Sequence, residues 1–304
     1  MKLKALMLGL AVMLATSLAT IANVTAAEKV HTHLAFANAF LTNSHIIESE
    51  NGIVVVDPPF TVSSSNSLVL QMKAIGKPLL GIISTHHHPD HRFGALIVAG
   101  GNKNMAYYAE TGVNKWTLDT DKPKYEFWSG IYGAEIPAER LMPNKIVNDG
   151  DKMEIDGIKY EVGVTGEDES HHGTHWIITM SDGRTYAFIG DTAMPDFHAW
   201  LADGHTKVWV EKSIPALKKK LADRNVRRVF VGHGNSGGLE VFDWQTDYIQ
   251  AYWKHLRELG SDGNLTDEDK AELTRRMVEH AQSENESGLV GFSADVVVKE
   301  LGLF

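Results

Sequence analysis

Residues 79–95 read LLGIISTHHHPDHRFGA, a short apolar segment that leads directly into a cluster of histidines and one aspartate. Its first part, residues 79–84, is apolar and partly β-branched, which is typical of a buried strand. Side chains that follow such a strand lie at one edge of a sheet, where ligand sites are common. We therefore predict a metal site at the end of this strand.

The spacing of four candidate ligands in this segment suits two neighbouring ions. Residues two apart in an extended chain point to the same side, so His86 and His88 can converge on one ion. The proline that follows favours a turn or a helix start, from which Asp90 and His91 would reach a second ion. His87 is expected to point away from both ions.

Three later segments end in further candidate ligands. GEDESHHGTHW offers His171, His172 and His175, and spacing alone leaves all three open. YAFIGD ends in Asp191, and RRVFVGHG reaches His233. Each segment lies where an apolar, β-branched run meets a glycine-rich turn, so all three are candidates to contribute to the same edge.

Short predicted strands alternate with helical patterns along much of the chain, which favours an α/β fold. Apolar residues three to four apart predict helices over 65–75, 93–99 and 206–222, with a break at Pro215. The seven predicted strands are 44–47, 53–56, 79–84, 159–164, 176–180, 185–189 and 228–231.

The C-terminal part of the chain shows helical patterns alone. From Phe242 the apolar periodicity is that of a helix, and Thr266 is predicted as the N-cap of another. We predict one globular domain over residues 28–240 and a helical extension over 241–304. Two roles are open for the extension, covering the core or forming a homodimer.

Composition excludes several classes of protein. The 304 residues carry 29 basic and 39 acidic side chains, and the net charge of −10 disfavours a nucleic-acid partner. The absence of cysteine excludes disulfides, a thiol nucleophile and thiolate metal sites. A mean hydropathy of −0.18 is typical of an ordinary globular fold.

Residues 1–27 have the layout of a secretory signal peptide. Two lysines precede an apolar run, and small residues would allow cleavage after Ala26 or Ala27. An uncleaved anchor is the alternative, because residues 5–22 are about as long as the shortest spanning helix. Cleavage removes two lysines and no acid, which changes the net charge from −10 to −12. We expect export to the periplasm or the medium and no stable membrane insertion after cleavage.

Four motifs carry a family resemblance. HHHPDH, SHHGTH, FIGD and VFVGHG occur in this order over residues 86–233, and together they resemble the metallo-β-lactamase-fold hydrolases. The preceding NSHIIESENGIVVVDPP is similar to the opening hairpin of that family. The resemblance implies an α/β (α+β) fold, a four-layer αβ/βα sandwich with C-terminal helices, and a two-zinc site at one edge between two sheets.

The resemblance also implies the metal ligands. The third motif departs from the family's commoner Gly-His-Thr, and His171 is preferred because it keeps the spacing to the following strand, with His172 as second choice. Asp57, at the end of VVVD, matches an aspartate that supports the site from behind its ligands. The seven implied ligands are His86, His88 and His171 at the first zinc, Asp90, His91 and His233 at the second, and Asp191 as a bridge.

The function implied is that of an exported dinuclear zinc hydrolase with a small-molecule substrate. A metal-bridging hydroxide would cleave an ester, lactone, thioester or amide-type bond, and Asp90 would orient it and accept its proton. The ligand set with Asp191 looks more like the family's thioester hydrolases and lactonases than its β-lactamases. A β-lactamase, a single-iron sulfur dioxygenase on the same fold and a binding protein with an idle site are the alternatives.

Three aromatic stretches are predicted to lie in loops. They are AYYAE with Tyr107, KYEFWSGIYG at residues 124–133 and DFHAW at residues 196–200. Lining an apolar cleft and packing against the C-terminal helices are both open roles for them. His198 is interpreted as a surface residue at a helix start rather than one that reaches the metal edge.

Overall fold

The computed structural model describes residues 29–260 and 263–303, so the predicted signal peptide at 1–27 lies outside the described residues. The strands are β1 Lys29–Leu34, β2 Asn43–Glu48, β3 Ile53–Val56, β4 Leu79–Ile83, β5 Tyr107–Glu110, β6 Lys145–Val147, β7 Lys152–Ile155, β8 Ile158–Gly166, β9 Gly173–Thr179, β10 Thr185–Phe188 and β11 Arg228–Phe230. The helices are α1 Val62–Ile75, α2 Ala95–Val98, α3 Thr111–Tyr132, α4 Thr206–Val208, α5 Ile214–Asp223, α6 Val241–Leu259, α7 Asp267–Ala281 and α8 Gly288–Leu301.

Two mixed sheets form the centre of the molecule, and all seven predicted strands are present in them. The first sheet has the order β1-β2-β3-β4-β5-β6, antiparallel from β1 to β3 and parallel from β3 to β6. The second has the order β11-β10-β9-β8-β7, in which only β10 and β11 are parallel. Parallel neighbours need crossover connections, and α1 supplies the one between β3 and β4.

The apolar side chains of the strands alternate between two faces and therefore build separate buried layers. Val54 and Ile83 of the first sheet share one core with Trp176 and Phe188 of the second sheet. The other face of the first sheet packs against α1 and α2, and that of the second against α5 and the C-terminal helices. The predicted order of helix, sheet, sheet and helix is confirmed.

The loop predictions for two of the aromatic stretches are wrong. Tyr107 lies in β5, and residues 124–133 form the end of α3 and the turn after it. The helix α3 begins after Glu110, whose carboxylate accepts hydrogen bonds from backbone N–H groups of the first turn. Its pattern is hidden in the sequence by the internal Pro123 and by its polar composition, because proline usually ends a helix.

The predicted break near Pro215 is present. After α4, the chain makes a π-helical turn over Trp209–Ser213 and continues into α5, with the proline in its first turn. A proline is tolerated there because the first N–H groups of a helix have no intrahelical partner.

The C-terminal helices α6, α7 and α8 share an apolar cluster with the second sheet. Phe242, Met277 and Val297 are buried in the same cluster as Val229 of β11. Thr266 begins α7 with a reciprocal capping box, as its sequence position predicts. Within the described residues, no helix combines the length and the apolar character that a membrane span requires.

The candidate ligands follow strand ends that meet at one edge of the two sheets. The loop with His86 follows β4, Asp191 follows β10, and His233 follows β11. His45 of β2 joins the sheets at this edge, because its Nε2 donates a hydrogen bond of 3.0 Å to the carbonyl of Val231 after β11.

Candidate metal centre

The loop at residues 85–91 starts directly after β4 and closes with a short 3₁₀ turn, Pro89–His91. Buried Asp57 anchors the start of the loop. Its carboxylate accepts one hydrogen bond of 2.8 Å from the backbone N–H of Thr85 and one of 2.7 Å from the Thr85 hydroxyl. Asp57 itself has a φ of 56°, which is uncommon for a residue other than glycine. The loop therefore begins from a backbone position that its surroundings hold firmly.

Asp90, His91 and His233 form one cluster of metal-binding side chains, which we call the second group. Asp90 Oδ2 lies 3.1 Å from His233 Nε2 and 3.3 Å from His91 Nε2. The opposite ring nitrogens are also held: His91 Nδ1 lies 3.2 Å from Asp57 Oδ2, and His233 Nδ1 donates to the Phe40 carbonyl at 2.9 Å. Contacts of this kind orient the free nitrogen of a histidine toward a metal.

His86, His88 and Glu169 form the first group, and all three are buried. Glu169 Oε2 lies 3.0 Å from His88 Nδ1 and 3.6 Å from His86 Nε2. On the other side of the His88 ring, Nε2 faces Asp203 Oδ2 at 3.5 Å. Asp203 is therefore placed to orient His88 from behind.

Asp191 lies between the two groups. Its Oδ2 is 3.7 Å from His86 Nε2, 3.1 Å from His91 Nε2 and 3.4 Å from His233 Nε2. The close approach of β11 requires Gly232, because a Cβ there would lie 2.0 Å from Asp191 Oδ1. One carboxylate thus faces histidines of both groups, which is the position expected of a bridging ligand.

The structure does not bring His171 into either group. The strand β9 begins at Gly173, three residues before its predicted start at Trp176. His171 therefore lies outside the strand, and its Nδ1 is 2.6 Å from His205 Nε2. The second choice, His172, pairs with Glu110 at 2.8 Å. The third-motif histidines therefore stand apart from the two groups.

Glu169 occupies the place that the family resemblance implies for a third-motif histidine. The neighbouring Asp168 fixes the segment, because its carboxylate accepts hydrogen bonds from the Thr192 hydroxyl at 2.7 Å and from the backbone N–H of Ser170 at 3.1 Å. Glu169 lies between Asp168 and Ser170, and its side chain faces the histidines of the first group. The structure brings the other six predicted ligands together: His86, His88, Asp90, His91, Asp191 and His233.

The residues of both groups fit divalent metal ions. His86 Nε2 and Asp191 Oδ1 are buried polar atoms without a hydrogen-bond partner in the described structure. Buried polar atoms are costly unless something binds them. Ligand atoms about 2.0–2.2 Å from one tetrahedral ion lie roughly 3.3–3.6 Å apart. The observed separations around Asp191 and within each group are close to that value.

Opposite charges shift the pKa values of the side chains in and between the two groups. Burial would lower the pKa of His233, but Asp191 raises it to about 10. Burial would likewise lower the pKa of His88, but Glu169 raises it to about 9. The pKa of Asp191 lies well below its usual range, because His91 and His233 outweigh the effect of its burial. Metal ions compete with the protons on these histidines, so metal affinity is expected to rise with pH.

A cavity of about 350 Å³ opens onto the two groups. The metal-binding residues in its lining are His88, Asp90, Glu169, Asp191 and His233. The rest of the lining is Phe40, Pro89, Pro123, Lys124, Phe127, Trp128, Met194, Phe197, Trp200 and Leu289. Few polar groups in an apolar concave surface are typical of a small-molecule site. Leu289 belongs to α8, so the C-terminal extension forms part of the cavity wall.

The stretch DFHAW lies in a loop as predicted, and Phe197 and Trp200 of this loop line the cavity. His198 is buried rather than on the surface, and its Nε2 donates a hydrogen bond of 2.9 Å to the Ser283 carbonyl. It does not belong to either ligand group. His87 also stays outside both groups, as expected from its position between His86 and His88.

Sequence reasoning missed three residues of this site. Glu169 lies within the quoted third motif, and its carboxylate is itself a metal-ligand type, so a signal was present beside the histidines. Asp203 and Lys124 have no such signal, because neither lies within a ligand motif.

The comparisons with known proteins identify a family. The chain matches the metallo-β-lactamase superfamily over residues 37–257. The search of curated proteins finds no relative that matches this sequence.

Solved structures share the fold at low sequence identity. The metallo-β-lactamase from Pontibacter korlensis is 17% identical, with a TM-score of 0.55, over 73% of this chain and 94% of that one. The DIM-1 metallo-β-lactamase is 19% identical, with a TM-score of 0.52, over 73% and 91% of the two chains. A mutant metallo-β-lactamase from Cronobacter sakazakii is 15% identical, with a TM-score of 0.50, over 90% and 91%. At these identities the likeness concerns the fold.

Proposed function

The chain belongs to the metallo-β-lactamase superfamily, a family of metal-dependent hydrolases, and from this premise we propose that it is an exported hydrolase with two zinc ions. Its substrate is a small molecule, and the bond cleaved is an ester, lactone, thioester or amide-type bond. Export rests on the signal-peptide pattern of residues 1–27.

One observation carries this proposal. The Oδ2 atom of Asp191 lies within 3.7 Å of a histidine nitrogen of the first group and within 3.4 Å of two in the second. A shared carboxylate between two otherwise complete ligand groups favours two neighbouring metal ions over one. The cavity opens onto both groups, so a substrate would meet both positions.

The chain's own residues have distinct tasks in this proposal. Two bound metal ions would make water nucleophilic at neutral pH and polarise a substrate carbonyl. Asp90 lines the cavity and can orient the attacking water and accept its proton. His91 and His233 hold the Asp90 carboxylate, with Nε2 atoms 3.3 and 3.1 Å from its Oδ2. The apolar walls limit the entry of further water around the reacting bond.

The ligand types support zinc and also define a second candidate. Two imidazoles and one carboxylate are a known catalytic zinc set, and each group offers one. His86, His88 and Glu169 also match the two-histidine, one-carboxylate set of mononuclear iron(II) oxygenases, which favours an iron dioxygenase as the alternative. The second group has no role in a single-iron site, so the two-metal hydrolase is preferred.

A substrate panel on metal-quantified protein tests the proposal. The full chain is expressed with its own leader, recovered from the periplasm and analysed for metals. Chromogenic ester, lactone, thioester, β-lactam, phosphoester and sulfate-ester substrates are then compared. We expect about two zinc ions per chain and turnover of a carboxylic acid derivative, lost with a chelator and restored by zinc.

A His86→Ala/His88→Ala double variant controls for contaminating hydrolases and is expected to show no turnover. Turnover restricted to the β-lactam would identify a β-lactamase within the proposed reaction type. About one iron per chain with little zinc would favour the dioxygenase. Full zinc loading without turnover of any substrate class would overturn the hydrolase proposal.

A further inference from the structure

Lys124 is the one lysine or arginine among the described residues that line the cavity. It lies on α3 and is half-buried, beside a lining that is otherwise apolar or metal-binding. Its ammonium group forms no hydrogen bond or ion pair with the part of the chain that the structure describes. A desolvated cation without a partner is costly, which suggests that something outside the chain binds it.

Two other lysines of α3 provide a comparison. Lys115 pairs with Asp119 at 2.5 Å, and Lys122 pairs with Glu126, each one turn further along the exposed side of the helix. The residue one turn after Lys124 is Trp128, which cannot accept such a pair. Lys124 thus differs from its neighbours in facing the cavity and in lacking an acidic partner.

The acidic residues that act most strongly on Lys124, Asp203 and Glu169, have other partners. Burial lowers the pKa of Lys124, and Asp203 and Glu169 offset only part of that effect. Glu169 contacts His88 Nδ1 at 3.0 Å, and Asp203 accepts a hydrogen bond from Trp200 Nε1 at 2.8 Å and faces His88. Once metal ions neutralise Glu169 and the other ligand carboxylates, the surroundings of Lys124 become more positive. An anionic group would then be attracted to this wall.

The shape of the rest of the lining limits what the anion can be attached to. Phe127 and Trp128 lie on the same helix as Lys124, and Phe197 and Trp200 come from the loop after β10. Aromatic side chains of this kind bind flat or aliphatic groups and exclude heavily hydrated ones. A fully hydrophilic ion, such as a small sugar phosphate, does not match these walls.

We propose that Lys124 binds the carboxylate of an amphipathic small-molecule substrate, whose aromatic or aliphatic body lies against the apolar walls while its scissile carbonyl faces the ligand groups. This substrate class rests on the proposed hydrolase function. Lys124 acts as a specificity-determining residue and takes no part in the bond cleavage.

Equilibrium binding of two matched fluorescent probes tests the proposal without requiring turnover. Dansylglycine has an aromatic body and a carboxylate, and dansylglycinamide is its neutral counterpart. Both are titrated into the zinc-loaded full chain, with dansyl fluorescence as the readout. We expect wild-type protein to bind dansylglycine about 10- to 100-fold more tightly than the amide, the range of a hydrogen bond between charged groups.

Variants of α3 assign the preference to one residue. Lys124→Met is expected to abolish the preference for dansylglycine and to keep the affinity for dansylglycinamide. Lys124→Arg is expected to retain most of the preference, because it keeps the charge. Lys122→Met, which removes an exposed lysine of the same helix, is the matched control and should leave both affinities unchanged.

Three results would overturn the proposal. An unchanged preference in Lys124→Met would mean that the metal ions bind the carboxylate. An equal loss of both probes would mean that Lys124 only shapes the cavity, and absence of measurable binding of dansylglycine would also contradict it. The probe titration and the substrate panel can fail independently. If Lys124 gives a preference for dansylglycine but no substrate is hydrolysed, the proposed carboxylate site stands and the hydrolase proposal fails. If substrates are hydrolysed but the preference is absent, only the proposed carboxylate site fails.

Discussion

The two ligand groups use the same kinds of side chain, yet different parts of the molecule support them. In the second group, the buried Asp57 lies behind His91, and the Phe40 carbonyl holds His233. In the first group, Asp203 lies behind His88 and belongs to a loop, as does the group member Glu169. The support behind His91 thus comes from the end of β3 in the sheet core, whereas the support behind His88 comes from a loop, and we call the second group core-supported and the first loop-supported for this reason.

The last helix, α8, contacts the loop that carries Asp203. Leu201 N–H donates a hydrogen bond of 3.2 Å to Ser293 Oγ, and the Trp200 ring stacks on Phe292 at 5.3 Å. These contacts come from α8 and lie within three residues of Asp203. The residue behind His91 is therefore held within the sheets, whereas the loop that carries Asp203 is held by contacts with α8. The following changes test that difference.

Removing the shared ligand should have the largest effect. Asp191→Ala takes away the carboxylate that faces both groups, so both metal positions should weaken. We expect the hydrolysis rate to fall by at least about a thousandfold, the scale of several kcal/mol of lost charge stabilisation. Elemental analysis and steady-state kinetics measure the two effects, and circular dichroism checks the fold. A variant that keeps two metal ions and a near wild-type rate would remove Asp191 from the bridging role.

Removing Glu169 should affect the first group and leave the second group intact. Glu169→Ala takes one ligand from the first group and none from the second, so we expect about one metal ion per chain to be lost and the rate to fall about a hundredfold. His171→Ala is the matched control from the same segment, and it should keep both ions. The reverse pattern, with metal lost from His171→Ala and retained by Glu169→Ala, would restore the ligand set implied by the sequence.

The contrast between the groups also explains how far the sequence could predict the site. His86, His88, Asp90 and His91 lie within one strand-to-turn segment, where the period of an extended chain and one proline determine their directions. Asp191 and His233 each come three residues after the end of a short strand, so strand prediction brings them to the same edge.

Glu169 could not be identified by the same reasoning, because its direction depends on contacts remote in sequence. Asp168 is anchored by Thr192, and the start of β9 at Gly173 moves His171 out of register. His171 was chosen by its distance along the chain from the predicted start of β9. An error of three residues in that start therefore leads to the wrong ligand. The helix α3 was missed for a different reason: Pro123 interrupts the pattern that would otherwise predict it.

A smaller change should weaken only the loop-supported group. Asp203→Asn removes the negative charge that faces His88 Nε2 at 3.5 Å and keeps the size of the side chain. Loss of a carboxylate behind a ligating histidine typically lowers metal affinity about 10- to 100-fold, and we expect this for one of the two ions. Competition with a fluorescent zinc chelator measures the two affinities separately. The exposed Asp182→Asn serves as control. Equal weakening of both ions would contradict the division into a core-supported and a loop-supported group.

The core beneath the second group should make the stability of the protein depend on pH. His45 is buried beneath that group, accepting a hydrogen bond from the Thr32 hydroxyl and donating one to the Val231 carbonyl, two residues before His233. Burial lowers the pKa of His45 from 6.5 to about 4. Because the folded protein binds this proton less readily than the unfolded chain, the stabilisation is present above pH 6.5 and is lost as the pH falls toward 4.

The shift corresponds to about 3 kcal/mol of unfolding free energy across that pH range. Urea unfolding of chelator-treated protein at pH 7 and pH 4.5 measures it, and His45→Gln should lose about 2–3 kcal/mol less between the two values than wild type. The exposed His280→Gln controls for histidine removal in general and should match wild type. Equal pH dependence in His45→Gln and wild type would mean that the cross-sheet hydrogen bond tolerates a charged imidazole. The core behind His233 would then be less rigid than its burial indicates.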